Sequence, residues 1–375
     1  MTMIYCKRCV LPSTKPGLKI DADGICSACR SVEVKHQINW EEREKKLHEL
    51  CDEIRGSNGN GYECIVPVSG GKDSAYQAYT MSKKYNLRVL CINISAHLQT
   101  YEGITNLNSM VDYMDVDLIK INVRPSVQQK IRRYALFETG NPNYAEHHVV
   151  FAGVARAALN FGAPLIVWGE DIATEFGGVI ADSTKDGGSA EDLINNDLFM
   201  DLDFNKFVEG RIDEGGLFFY NHPDKNDFLN KKIKSIYLGY YHWWDGKKHY
   251  DLVKDYGFIS RREGPLSGNI LDYDNIDEKL CELHIWLKFL KFGFWRPTDQ
   301  CCYQIWNGRM ERREAVEIVL KKQYEFPYEY LPEFLEYHEI TENQYHELED
   351  KFRNQDIWHK KDGNWRLINE IEQLT

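Results

Sequence analysis

Ser69-Gly70-Gly71-Lys72-Asp73-Ser74 is the stretch whose residue types and order point most directly to chemistry. Adjacent glycines let the backbone take conformations closed to other residues and let a ligand come close. Ser69 and Ser74 add hydroxyl donors, and Lys72 adds a positive charge. The β-branched, apolar run Cys64-Ile65-Val66-Pro67-Val68 precedes the hexapeptide, and Ala75, Ala78 and Tyr79 follow it at helical spacing. The six residues therefore read as a turn from a buried strand into a helix. Free N–H groups at a helix start attract anions, so the physical reading is a phosphate cradle. It is not a Walker A loop: Val66 and Asp73 occupy the positions where that motif needs Gly and Ser or Thr.

Cys6-Lys7-Arg8-Cys9 and Cys26-Ser27-Ala28-Cys29 form a second constellation, two CxxC pairs sixteen residues apart. Four thiolates gathered in this way suit tetrahedral zinc, and Pro12, Pro16, Gly17 and Asp23-Gly24 between the pairs supply the turns of a zinc ribbon. An iron–sulfur cluster and a redox dithiol are the alternatives. Four filled positions with none open suggest a structural metal. Asp73, Glu170 and Asp171 are candidates for holding Mg²⁺ on bound phosphates; as a bland reading, Glu170 and Asp171 form a solvated loop or a helix N-cap. His284, Lys288 and Lys291 recur at i, i+4 and i+7, with Arg296 just beyond, and such a group can grip a diphosphate. The competing reading is a solvated basic face.

These residues need a frame. Apolar runs at Cys64–Val68, Arg88–Ile94, Asp117–Val123 and Leu165–Trp168 read as strands, and 40–55 and 148–161 as helices. Alternating βα units predict a parallel, doubly wound sheet, whose ligands sit outside the carboxyl ends of the strands. The loop at Ser69, the end of the second strand from Asn93 to His97, and Gly169-Glu170-Asp171 should then meet in one crevice, with adenine near Asn93. A helix is expected over 275–292, capped by Asn275 with Glu278, and further helices over 309–323 and 341–352, the last with a Thr341/Gln344 capping box. The aromatic run 236–244 reads as core, with an aromatic site for a sugar ring or a base as the alternative. Five regions result: a zinc-ribbon-like module (1–38), a helix and Gly-rich linker (39–61), the ATP-binding domain (62–185), a candidate lid or insertion (186–235), and a mainly helical substrate or partner region (236–375).

Composition narrows the classes. The chain has 375 residues, 43% of them hydrophobic, and a formal net charge of −12. No apolar run reaches the ~20 residues of a membrane span, and no signal-peptide core follows Met1, so a cytoplasmic location and no membrane partner are expected. An acidic chain argues against a nucleic-acid partner, whose phosphates call for a basic face. Ten cysteines in a reducing compartment point to metal ligands and core thiols.

The hexapeptide resembles the pyrophosphate loop (PP-loop) of the ATP pyrophosphatase superfamily, Ser-Gly-Gly-x-Asp-Ser. That resemblance implies ATP bound by Ser69 to Ser74 and cleaved between its α and β phosphates to adenylate a carbonyl oxygen. The four cysteines are shared with other members of that superfamily; further elements narrow the likeness: Trp168-Gly169-Glu170, Glu175-Phe176-Gly177-Gly178, Ile276-Asp277, Lys288 to Arg296, Gly308-Arg309-Met310, Arg313-Glu314-Ala315, Ile357-Trp358 and Asp362-Gly363. Together they resemble the N-acetyl sugar amidotransferase family of bacterial surface-glycan pathways. Cys301-Cys302 departs from that pattern. The resemblance implies adenylation of a sugar N-acetyl oxygen, then displacement of AMP by ammonia to give an acetamidino group. Lys72, Asp73 and Glu170 would act at the reacting phosphates, and His284, Lys288, Lys291 and Arg296 would hold the diphosphate of a nucleotide sugar. No Cys–His pair stands out as a glutaminase dyad, so a separate glutaminase subunit is expected to supply ammonia. PP-loop tRNA thiolation is the alternative enzyme class, and a nucleotide-binding scaffold the non-enzymatic one.

Overall fold

A computed structural model of the protein describes residues 3–94, 98–170 and 204–372. Asp171, the 95–97 end of the second strand, the Glu175–Gly178 motif and most of the candidate lid lie outside the described residues.

Five parallel strands form the central sheet: β1 (Cys64–Pro67), β2 (Val89–Ile94), β3 (Asp117–Ile121), β4 (Leu165–Trp168) and β5 (Lys234–Tyr237), in the order β3-β2-β1-β4-β5. β1 is therefore central, and the strand order reverses beside it, where ligands of open α/β sheets bind. Side chains alternate along β1. Cys64 and Val66 face one layer with α2 (Trp40–Ile54), α3 (Lys72–Tyr79) and α4 (Tyr101–Met114), whereas Ile65 faces α5 (Pro125–Thr139) and α6 (Glu146–Phe161). Both faces are covered, which is why β1 and β4 are apolar throughout and β2 is apolar but for Asn93.

The Gly-rich stretch after α2 is tied to the sheet. Arg88 donates to the carbonyls of Gly61 and Gly59 at 2.8 and 2.6 Å. Leu47, Cys51 and Ile54 of α2 sit in the same core as β1. β5 comes from the aromatic run, which is mostly core: Tyr240, Tyr241 and Trp244 are buried, whereas Tyr237 and Trp243 are half-buried.

A second apolar core joins Cys281–Phe292, Leu331–His338 and Glu342–Phe352 to the hairpin Trp358–Lys361/Asn364–Leu367. The Thr341/Gln344 capping box is present. The expected start of the preceding helix at Asn275 is not. Asn275 has φ +52°, and the helix begins at Cys281. Residues 274–279 instead run against α4, where Thr100 N–H donates to Asp277 O at 3.2 Å and the Thr100 hydroxyl donates to Ile276 O. The four-cysteine segment shares a core with Phe294, Cys301, Cys302, Ala315, Val316 and Ile371, so it docks on the C-terminal helices.

Gly70 shows how closely these layers press. Its φ is +106°, and a Cβ there would overlap the carbonyl oxygen of Gly103 on α4; a Cβ on Gly103 would in turn strike Asp277. Gly70→Ala is expected to destabilise the fold by about 2–4 kcal/mol, from left-handed strain plus overpacking. Gly59→Ala, at φ +55° in open space, should cost only about 1 kcal/mol. Urea denaturation of the pair checks the ranking, and equal losses would show that the loop can relax.

Candidate functional site

The hexapeptide bridges the end of β1 and the start of α3, and its own hydroxyls shape it. Ser69 N–H donates to Ser74 Oγ at 3.2 Å, Ser74 Oγ donates to Gly71 O at 3.0 Å, and Gly71 N–H donates to Ser69 Oγ at 3.2 Å. The curled loop opens α3 at Lys72, so the first N–H groups of the helix point out of the carboxyl edge of the sheet. Asn93, at the end of β2, is buried and donates from Nδ2 to Val68 O at 2.7 Å. That bond ties the strand leading into the loop to its neighbour.

Lys72 is buried, and its ammonium lies between two carboxylates, Asp274 Oδ1 at 2.6 Å and Asp73 Oδ2 at 3.0 Å. Burial alone would lower its pKa, but Asp274 and then Asp73 raise it well above the usual lysine value. Burial works against the charged form of Asp73 too, yet Lys72 and His249 hold its carboxyl below the ordinary range. His249 Nδ1 lies 2.7 Å from Asp73 Oδ1, and its ring stacks on Tyr76 at 3.9 Å. Asp274 also accepts from Gln300 at 3.2 Å and faces Arg296 at 3.7 Å; Arg296 in turn pairs with buried Glu282 at 3.0 Å. The cluster alternates carboxylates with cations, and these partners hold Lys72, Asp73, Asp274 and Arg296 in their charged forms in a poorly solvated place.

A cavity of about 390 Å³ lies over this chain, lined by Lys72, Asp73, Glu170, Asp274 and Arg296 among others. Glu170 follows β4, across the strand-order reversal from the loop. Its pKa is raised, first by burial and then by the charge of Asp73. Among the described residues, Asp73, Glu170 and Asp274 do not bring three ligand atoms within reach of one ion, and the Lys72 ammonium already lies between Asp73 and Asp274, so these side chains by themselves do not form a Mg²⁺ site.

Of the four residues expected to grip a diphosphate, Arg296 lines the cavity. Lys288 pairs with Asp299 at 2.6 Å and lies over Phe294; Lys291 donates to Thr139 O at 2.8 Å, and burial pulls its pKa down to about 8. His284 Nδ1 is buried without a hydrogen-bond partner, and burial, then Lys291 and Lys288, push its pKa down to about 3. Asp274 and His249, which sequence reasoning missed, lie 202 and 176 residues from the loop side chains they touch. No local spacing carries such a signal. A weak cue was the Asp272-Tyr273-Asp274-Asn275 run itself, too polar for the helix expected to begin there.

The four cysteine sulfurs are fully buried and lie within 4.8 Å of one another. Cys6 and Cys29 sulfurs are 3.9 Å apart, and those of Cys9 and Cys26 3.6 Å. A tetrahedron with Zn–S bonds of about 2.3 Å has edges of about 3.8 Å, so the cluster fits a zinc ion. Backbone N–H groups of Arg8, Leu11, Cys26 and Cys29 point at the sulfurs at 3.3 to 3.5 Å, and Trp306 Nε1–H donates to Cys29 Sγ at 3.3 Å. Such donors stabilise thiolate ligands from outside the metal's own shell. α1 (Ser27–Lys35) carries Cys29 on one side and offers Val32 and Lys35 to the cavity on another.

Comparison with known proteins adds three findings. Residues 255–372 match the family described as LPS biosynthesis protein WbpG-like, C-terminal domain. A stretch of 118 residues, 31% of this chain, is 30% identical to the uncharacterized protein MJ1599 of Methanocaldococcus jannaschii, and spans 42% of that protein. Among solved structures, NMN synthetase from Francisella tularensis aligns over 60% of this chain and 98% of its own, at 11% identity and a TM-score of 0.29. Among the described residues, no helix is long and apolar enough to cross a membrane.

Proposed function

We propose that this chain is an ATP-dependent amidotransferase of surface-glycan biosynthesis, converting the N-acetyl group of a nucleotide-linked sugar into an acetamidino group. One observation carries the proposal: the loop lysine, Lys72, is bonded at 2.6 Å to Asp274, which belongs to the region matching the LPS-biosynthesis domain. The phosphate loop and the part of the chain tied to glycan synthesis thus meet at one pair of atoms, inside one cavity.

The chemistry follows from the groups present. An amide oxygen is a poor leaving group. Attack of that oxygen on the α phosphate of ATP forms a P–O bond, breaks the α–β bridge, and gives an O-adenylyl imidate and pyrophosphate. Lys72 and the N–H groups opening α3 would stabilise charge on the departing pyrophosphate. Mg²⁺ carried on the ATP phosphates would neutralise their charge, with Asp73 and Glu170 the candidate carboxylates for it. Ammonia then adds at the imidate carbon, AMP leaves with the amide oxygen, and the amidine retains the added nitrogen. The cavity's contribution is chiefly to orient the reactants and exclude water. Zinc at Cys6, Cys9, Cys26 and Cys29 is structural in this reading, and a glutaminase subunit supplies ammonia.

The test is turnover of N-acetylated nucleotide sugars with ATP, Mg²⁺ and ammonium salts. AMP and pyrophosphate are expected, not ADP, and the sugar should lose about one mass unit as oxygen is exchanged for NH. Only neutral NH₃ attacks, so the rate with ammonium should rise with pH through the neutral range. Glutamine alone should support little turnover. ADP as the nucleotide product, or sulfur transfer to tRNA with no sugar modified, would overturn the reading.

A further inference from the structure

The cavity above the loop continues outward. A second cavity of about 560 Å³ shares Val32, Trp243, Asp245, Trp306, Asn307 and Arg309 with it, and extends to the exposed side chains of Arg8, His36 and Lys248. Two half-buried indoles, Trp243 and Trp306, stand between the chambers, and both are fixed in place. Trp243 Nε1–H donates to Asn307 Oδ1 at 2.9 Å, with the Lys35 ammonium 4.7 Å from its ring centroid and Trp40 edge-on at 5.8 Å. Trp306 is held by its bond to Cys29 Sγ and by Tyr303, edge-on at 5.6 Å. Rigid indoles beside an open cavity form a stacking surface for a planar base.

The mouth has its own electrostatics. Lys248 is exposed and has no ion-pair partner among the described residues, and Arg8 pairs through one nitrogen with Glu33 at 2.5 Å. In a chain of net charge −12, cations gathered at a cavity mouth favour an anionic ligand there. Lys288 and Lys291 are engaged by Asp299 and the Thr139 carbonyl, which leaves the outer chamber better placed to receive a diphosphate.

We propose that the outer chamber is the subsite for the nucleoside diphosphate that carries the sugar. The base lies against Trp243 and Trp306, and the diphosphate lies toward Lys248 and Arg8. The sugar then folds back beneath the diphosphate and into the inner cavity, with its N-acetyl group toward Lys72 and Asp73. This assignment rests on the nucleotide-sugar reading above, and its test separates the two. Equilibrium dialysis of the zinc-loaded full chain with UDP, GDP, CDP and dTDP, without ATP, should find at least one that binds. Lys248→Glu should weaken that binding at least tenfold and Trp243→Phe severalfold, with zinc content unchanged in both and ATP affinity unchanged in Lys248→Glu. Affinity within twofold of wild type in both variants overturns the subsite while leaving the sugar reading intact. Failure to bind any of the four diphosphates also overturns it. Diphosphate binding that remains sensitive to Lys248→Glu, in a protein that amidinates no sugar, upholds the subsite and removes only the reaction.

Discussion

Lys72→Ala is expected to lower kcat/KM for AMP formation by a factor of about 10² to 10³, the usual loss when one preorganised group facing developing charge is removed. Folding must be separated from chemistry in this variant, because Lys72 lies between two carboxylates. Without it Asp73 keeps His249, and Asp274 keeps Gln300 and the longer contact to Arg296. Both acids therefore retain a partner, and the stability loss should fall short of the ~3–5 kcal/mol seen when a buried charge is left unpaired. Asp274→Asn makes the complementary change. It releases one hold on the ammonium and should reduce turnover less than Lys72→Ala does. Rates per mole of protein with a native melting transition decide the matter. Turnover within threefold of wild type in a well-folded Lys72→Ala protein would show that the lysine is only a structural counter-ion.

The second large effect concerns the sulfurs. Cys6→Ser combined with Cys26→Ser should take zinc from about one per chain to almost none, since two serine hydroxyls replace two thiolates of a four-ligand site. The cost reaches beyond residues 6–29. Val10, Leu11 and Ala28 share a core with Phe294, Ala315 and Val316, and Arg312 donates to the carbonyls of Cys6 and Cys9 at 3.2 Å. The variant should melt at a lower temperature and show rapid hydrogen exchange over residues 3–35. It should also lose catalytic efficiency, because α1 carries Cys29 and walls the cavity with Val32 and Lys35. Unchanged zinc content in the double variant would rule out these four sulfurs as the site.

Much of the frame was legible because it is local. The helix 40–55 is observed as Trp40–Ile54, the last cavity-side strand is Leu165–Trp168 as expected, and the Thr341/Gln344 box caps as its spacing implies. The Ser69–Ser74 turn was readable because glycines, hydroxyls and the following helix all occur within a few residues. The fifth strand was not read, since Lys234–Tyr237 is short and lies in an aromatic run that resembles any core segment. The start of the helix at Asn275 was misplaced by a good local signal that tertiary contacts override. Residues 276 and 277 are held to Thr100, Glu278 is drawn to Arg132 at 2.8 Å, and Asp274 is drawn to Lys72. Asp274, from that displaced segment, and His249 are the partners that Lys72 and Asp73 find outside the loop, so the candidate site was only partly visible before its long-range pairs were.

The shared core of the cysteine segment and the C-terminal helices bears on the order of synthesis. Cys6, Cys9, Cys26 and Cys29 leave the ribosome early, whereas Phe294, Ala315, Val316 and Ile371, which cover them, are made near the other end of the chain. At elongation rates of ~5–20 residues per second, the thiols wait on the order of tens of seconds without that cover. All four sulfurs lie within residues 6–29, so a zinc ion bound there would shield them before their protein lid exists. Chains translated under zinc starvation should accumulate oxidised or mispaired cysteines. Zinc supplied after translation should then restore them only together with a thiol reductant.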